Sequence, residues 1–153
     1  MNDTHPRRVL IVTDTAEPTP ELVEAIEHRT AQTPTQFRVV VPNPARAEVH
    51  LLHPERHDKA AAAEQVLRAA LPELERAARG HVVGSVSVQH DPMDTVKHVL
   101  HAEPIDEIML AVHEHALAAR LHQDLPHRLG HLGVPVTVVG RGVSGDGARA
   151  GAS

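Results

Sequence analysis

The sequence is rich in histidine, a side chain that binds transition metals and titrates near neutral pH. Histidine accounts for 14 of the 153 residues. His113 and His115 come at the end of one apolar run, and His122 follows them in the next connection. Together with Asp14, at the end of the first apolar run, they offer imidazole and carboxylate ligands of the kind that zinc prefers. The metal-site hypothesis therefore names His113, His115 and His122.

Two further histidine pairs have helical spacing. His131 follows His127 by four positions, and His101 follows His98 by three. On a helix either spacing places both rings on one side, where they can bind a metal ion. The alternative is that a chain with only two lysines uses histidine freely on its solvated faces. Many histidines would also make stability or association sensitive to pH, a second hypothesis that the composition raises.

Motifs that activate a side chain for covalent catalysis are missing from the sequence. There is no cysteine, no G-x-S-x-G motif and no phosphate-cradling Walker loop. Ser85 and Ser87 fall within a predicted strand, away from the sharp turn that a nucleophile needs. Asp91 and Asp94 fit turn and helix-cap positions. We therefore predict a protein that is not an enzyme, has no catalytic residues and needs no cofactor, with nucleotide binding left open.

Charge and hydropathy exclude further classes. The net charge is -5 and lysine and arginine do not cluster, so nucleic acid is not an expected partner. No apolar run approaches the roughly 20 residues of a membrane span, and the first eight residues have no apolar segment of a signal peptide. We therefore expect a cytoplasmic protein without a membrane partner. Since Phe37 is its one aromatic residue, the core must consist of aliphatic side chains.

The elements that position these residues alternate along the chain. Apolar runs predict five strands, and amphipathic spacing predicts four helices between them. The predicted strands are 9–12, 37–41, 82–88, 107–112 and 134–139, and the predicted helices are 20–31, 58–79, 92–103 and a last one carrying Leu125, Leu129 and Leu132. This order predicts one doubly wound domain, 1–140, with ligands bound beyond the carboxyl ends of the strands. We expect a mobile loop at 43–57 and a disordered tail at 141–153.

Four segments resemble the universal stress protein family, and in order they span roughly residues 7 to 140. They are VTDTAE at 12–17, HDPMDTV at 90–96, IDEIMLAV at 105–112 and VPVTVV at 134–139. The resemblance implies a single three-layer α/β/α, Rossmann-like domain whose five-stranded parallel sheet has the order 3-2-1-4-5. It also implies an aspartate beside the nucleotide, here Asp14, and a homodimer formed through the last strand, around Val136 and Val138.

One feature departs from the family's ATP-binding pattern. That branch carries G-x2-G-x9-G-[S/T] after strand 4, where bare backbone approaches the phosphates. The corresponding stretch here, 112–123, contains no glycine, and Asp124 is placed to cap the next helix with a carboxylate. We therefore predict that ATP does not bind in the family mode. Asp14 either holds a nucleoside without its phosphates or is a solvated turn residue.

Strands 1 and 4 are neighbours in the implied sheet, about 4.8 Å apart. Residues at their ends therefore meet in one crevice, whereas His90 lies about three strand spacings away, roughly 14 Å. The predicted crevice residues are Asp14, Thr15, Val41, His113, His115 and His122. The first function hypothesis is a non-enzymatic stress-response or regulatory protein that acts by dimerisation or partner binding. The alternative is a sensor that binds a nucleoside, a nucleotide (AMP, ADP or ATP) or a metal ion in an open crevice.

Overall fold

The computed structural model describes residues 5–13, 17–42, 55–88, 91–111 and 125–139. Strands and helices alternate along these residues, as the sequence predicted. The elements are β1 (Arg7–Thr13), α1 (Pro20–Gln32), β2 (Thr35–Val41), α2 (Glu55–Ala78), β3 (Val82–Val86), α3 (Pro92–Ala102), β4 (Glu107–Ala111), α4 (Leu125–Gly130) and β5 (Val136–Val139). The tail at 141–153 and most of the 43–57 loop lie outside the described residues, so those two predictions remain untested.

The five strands form one parallel sheet in the order β3-β2-β1-β4-β5. The chain passes from central β1 outward to β3, then returns to β4 on the other side. The winding therefore reverses between β1 and β4. The predicted fold class and strand order are confirmed.

Helices cover both faces of the sheet and enclose two cores. The first core lies under α1 and α2, where Leu22, Ile26 and Leu74 pack against alternate strand residues such as Phe37. The second core lies on the other face and contains Val96, Val99 and Leu129 together with Leu10 and Ile108 from the central strands. The central strands are therefore apolar on both sides, which explains their continuous hydrophobic runs.

The residues predicted to begin α1 and α3 do so in the structure. The Thr19 hydroxyl accepts a hydrogen bond from the Leu22 N–H at 3.1 Å, and Pro20 occupies the first turn of α1. The Asp91 carboxylate accepts one from the Asp94 N–H at 3.3 Å at the start of α3. Both caps satisfy backbone donors that have no partner within the helix.

Helix α2 departs from the sequence prediction at its start and on one face. It begins at Glu55, so residues 55–57 are helical where a loop was predicted. At its other end α2 stops at Ala78, near Gly80 as predicted, and Arg79, with φ 56°, takes the left-handed conformation directly before that glycine. Val66 was predicted to face inward but is 43% exposed. The reason is that Leu67 and Leu74 set the buried stripe of α2, and the residue before Leu67 is rotated away from it by about 100°.

Two edge strands are shorter than predicted. Strand β3 ends at Val86 and leaves Val88 74% exposed, and β5 begins at Val136, just after Pro135. Proline cannot donate to a strand ladder, so a start after this residue is expected. In the described parts of the chain, no helix is long and apolar enough to cross a membrane.

Candidate functional site

The carboxyl ends of β1 and β4 lie side by side, as the predicted crevice requires. Thr13 at the end of β1 is paired with Ala111 at the end of β4, and both residues are buried. On the other side of β1, the carbonyl of Val41 accepts a hydrogen bond from the Ser87 N–H at 2.8 Å. The described base of the crevice between β1 and β4 therefore consists of the small residues Thr13 and Ala111, at the point where the winding reverses.

Of the six residues predicted to line the crevice, the structure describes one. Val41 is 2% exposed, and its side chain packs in the core under α1 and α2. The others lie outside the described residues: Asp14, Thr15, His113, His115 and His122. The helix cap predicted at Asp124 lies outside them too. The crevice set and its metal-site hypothesis therefore remain predictions.

The structure does describe the two helical histidine pairs. His127 and His131 are both exposed, and their Nε2 atoms lie 3.2 Å apart. His98 and His101 on α3 are exposed as well, but His101 directs its Nδ1 to the Lys97 carbonyl at 3.0 Å. Within the described ranges, no three His, Cys, Asp or Glu side chains cluster in a way that could hold a metal ion. Of the two pairs, that of His127 and His131 is therefore the one in which two ring nitrogens lie close together.

A buried carboxylate that the sequence did not single out lies at the opposite, amino edge of the sheet. Glu107 is the first residue of β4 and is 3% exposed. It accepts hydrogen bonds from Arg7 Nε at 3.2 Å and Thr137 Oγ1 at 2.9 Å, and it also pairs with the guanidinium of Arg29. One side chain thus connects β1, α1, β4 and β5.

The charge state of Glu107 follows from these partners. Burial alone would raise the pKa of its carboxyl, but the hydrogen bonds from Arg29, Thr137 and Arg7 and the charge of Arg29 outweigh burial and hold the pKa below its ordinary value. The group is therefore ionised near neutral pH, with both oxygens engaged. It is suited to joining elements and unsuited to transferring protons.

The role of Glu107 is not evident in the sequence, because its arginine partners are 100 and 78 residues away along the chain. The one feature of the sequence that could have indicated a buried carboxylate is the position of Glu107. An acidic residue directly before the apolar run 108–111 starts a buried strand, and a carboxylate there needs a partner. Nothing in the local pattern identifies that partner.

A small groove opens at the same amino edge, on the face that α3 covers. Arg8, Arg38, His81 and Glu103 contribute polar atoms to its lining. Its volume is about 190 Å³, below the roughly 300–1,000 Å³ typical of small-molecule sites. Arg38 is already paired there, with its Nε 3.6 Å from Glu103 Oε2. The groove is therefore too small for a nucleotide and lies at the wrong end of the strands for the predicted crevice.

Comparison with known proteins identifies the fold. No protein-family model matches the sequence, and no curated protein matches it. Among solved structures, the chain is similar to a universal stress protein from Archaeoglobus fulgidus, with a TM-score of 0.60 and 10% sequence identity. The likeness covers 88% of this chain and 95% of that chain. The fold expected from the four resembling segments is therefore present over most of the chain.

Proposed function

We propose that the chain is a non-enzymatic regulatory protein of the universal stress protein type, which acts through association and does not bind ATP in the family mode. Two facts support this proposal together. The fold matches a universal stress protein over 88% of the chain, yet the connection 112–123 between β4 and α4 contains no glycine. The missing glycines are the observation that carries the proposal.

The physical argument concerns how a phosphate approaches a backbone. Anion sites at helix starts expose bare N–H groups, and glycine allows phosphate oxygens to reach them without meeting a Cβ atom. Every residue from 112 to 123 has a Cβ, and several side chains there are long, among them Arg120 and Gln123. Asp124 adds a negative charge just before the segment that forms α4. Steric crowding and charge repulsion both disfavour a triphosphate.

The chemistry of Glu107 supports a role without catalysis. Burial alone would raise the pKa of its carboxyl, but the hydrogen bonds from Arg29, Thr137 and Arg7 and the charge of Arg29 lower it. Perturbed groups at active sites are usually tuned toward neutrality for proton transfer. Glu107 has the opposite tuning, typical of a structural ion pair.

The outer edge of β5 supports association. In the described sheet β5 pairs with β4 alone. The Ile108 N–H donates to the Pro135 carbonyl at 2.8 Å, so the amide groups of alternate β5 residues face β4 and those of Val136 and Val138 face outward. Such an edge offers backbone donors and acceptors to a second strand. We propose that a second copy of the chain pairs there.

Calorimetric titration with Mg-ATP tests the proposal. We expect no measurable heat of binding from the purified, tag-free protein. Titrations with AMP and adenosine, repeated on an Asp14→Ala variant, test the alternative of a sensor. Binding of adenosine that depends on Asp14 would favour that alternative, because a nucleoside needs no phosphate cradle. Micromolar binding of Mg-ATP would contradict the proposal outright.

A further inference from the structure

The rings of His127 and His131 meet on the exposed side of α4 and the turn that follows it. Their Nε2 atoms are 3.2 Å apart, the ring centroids 4.7 Å apart, and the ring planes 89° to each other. We propose that this pair chelates a late first-row divalent metal ion, of the class of Zn²⁺, Ni²⁺ and Cu²⁺. The site is distinct from the crevice at the carboxyl edge and does not depend on the proposed regulatory role.

The distance between the nitrogens fits one shared ion. Imidazole nitrogens bind zinc at about 2.0–2.1 Å, so two of them in a tetrahedral site lie about 3.3 Å apart, and two at a right angle about 2.9 Å apart. The 3.2 Å between the Nε2 atoms lies between these values. The ring centroids are farther apart than the nitrogens, so the rings diverge from the point where the nitrogens meet.

The backbone fixes the spacing of the two histidines before any ion arrives. Leu129, between them, is fully buried and anchors this turn in the second core. The His131 N–H donates to the Arg128 carbonyl at 3.2 Å, and the Leu132 N–H to the Leu129 carbonyl at 3.0 Å. These bonds extend the helical turn past the end of α4 and keep His131 one turn above His127. Preorganised ligands lose little freedom when they bind.

The surroundings of the pair leave room for other ligands of the ion. The shallow depression beside the rings is lined by Gly130, Gly133 and Pro135 in addition to the two histidines. A Cβ atom added at either glycine would meet nothing within 4 Å, so this side is open. Water or a ligand from solution can therefore complete the coordination. Imidazole favours zinc, nickel and copper, whereas magnesium and calcium prefer oxygen.

The same 3.2 Å is also compatible with a hydrogen bond between two neutral rings. That bond would lie in water, where a net hydrogen bond is weak, and it would bind no metal. The two alternatives predict opposite results in a metal titration. The pair His98 and His101 is the matched control, since both residues are exposed and one of them directs its Nδ1 to a backbone carbonyl.

The experiment is a calorimetric titration of tag-free protein with Zn²⁺, repeated with Ni²⁺ and with Mg²⁺. The variants are His127→Ala, His131→Ala, both together, and His98→Ala with His101→Ala. We expect each single change to weaken the tightest zinc event at least about tenfold, because a chelate needs both ligands. The double variant should lose no more than either single one. The control should bind as the wild type does, and Mg²⁺ should not bind.

Three results would overturn the proposal: no zinc binding by the wild type, unchanged affinity in the two single variants, or small additive losses that the control pair shares. Far-UV circular dichroism and thermal melting of each variant establish that the fold is retained. Since both histidines are exposed, we expect little change in either measurement in the absence of metal.

Discussion

At the scale of single residues, Glu107 joins parts of the chain that no local pattern connects. Its carboxylate takes a hydrogen bond from the strand on either side, through Arg7 and Thr137, and an ion pair from α1 through Arg29. A buried carboxylate is stable only when such partners compensate for the water it has lost. Removing its charge should therefore leave two guanidinium groups without their anion.

Glu107→Gln keeps the size of the side chain and removes that charge. We expect the free energy of unfolding at pH 7 to fall by about 1.5–3 kcal/mol, the range for hydrogen bonds to charged groups. Urea denaturation followed by circular dichroism measures the change. The control is Glu103→Gln, which removes the partly exposed partner of Arg38 and should cost about 0.5 kcal/mol or less. Equal losses in the two variants would refute the structural role of Glu107.

Comparison of the wild type with Glu107→Gln at several pH values also tests the lowered pKa of Glu107. Because the folded-state pKa is lowered, the stability that this group contributes is present above its unfolded value of about 4.3 and is lost as pH falls through the folded pKa. We expect the stability gap between wild type and Glu107→Gln to be constant from pH 7 to about pH 5 and to shrink at lower pH. A gap that persists at the lowest pH where the fold survives would contradict the assignment.

At the scale of elements, α2 contains a proline where helices seldom tolerate one. Pro72 lies well inside the 24-residue helix and is exposed. It cannot donate a backbone hydrogen bond to the preceding turn, and its ring crowds that turn. Pro72→Ala should raise the free energy of unfolding by about 2 kcal/mol, since proline costs about 3 kcal/mol in a helix interior and restricts the unfolded chain by up to about 1 kcal/mol.

Thermal and urea unfolding of Pro72→Ala measure that gain. The neighbouring exposed Glu73→Ala is the control and should change stability by about 0.5 kcal/mol or less, as surface substitutions usually do. A loss of stability in Pro72→Ala would contradict this prediction and mean that the packing of α2 depends on the proline.

Elements were predictable where their signals are local. Thr19 with Pro20 and Asp91 with Pro92 mark the starts of α1 and α3, and the apolar run of β1 marks a strand buried on both faces. Exposure of Val66 was not predictable, because it depends on which face of α2 is turned toward the sheet. The partners of Glu107 were not predictable either, since the pairing joins distant segments. Local patterns determine elements, and packing determines which side chains meet.

At the scale of the whole molecule, the alternation of strands and helices and the resemblance together predicted the sheet order and its switch point between β1 and β4. The topology also predicted that the ends of these strands adjoin, and Thr13 is indeed paired with Ala111. Apart from Val41, the side chains proposed to line the crevice lie outside the described residues and stay predictions. The topology of a parallel sheet determines where a site lies and not which side chains enter it.

The proposed dimer, in which two copies pair along β5, can be tested by removing one backbone donor from that edge. If two copies pair through the outer edges of their β5 strands, the N–H of Val138 donates across the interface, because this amide faces away from β4. Val138→Pro removes that donor and leaves every backbone bond to β4 in place. A twofold interface contains this hydrogen bond twice, once from each copy, so the substitution removes two bonds. At about 1 kcal/mol per bond, the loss of about 2 kcal/mol should weaken the dimer by roughly thirtyfold.

Sedimentation equilibrium over a range of protein concentrations measures the change. Val138→Ala is the control, because it also shortens the side chain but keeps the N–H, and it should dimerise more tightly than Val138→Pro. Circular dichroism confirms that both variants retain the fold. A wild type that remains monomeric at high concentration would rule out the strand-paired dimer. Equal weakening in both variants would show that the side chain of Val138, and not the backbone edge of β5, holds the two copies together.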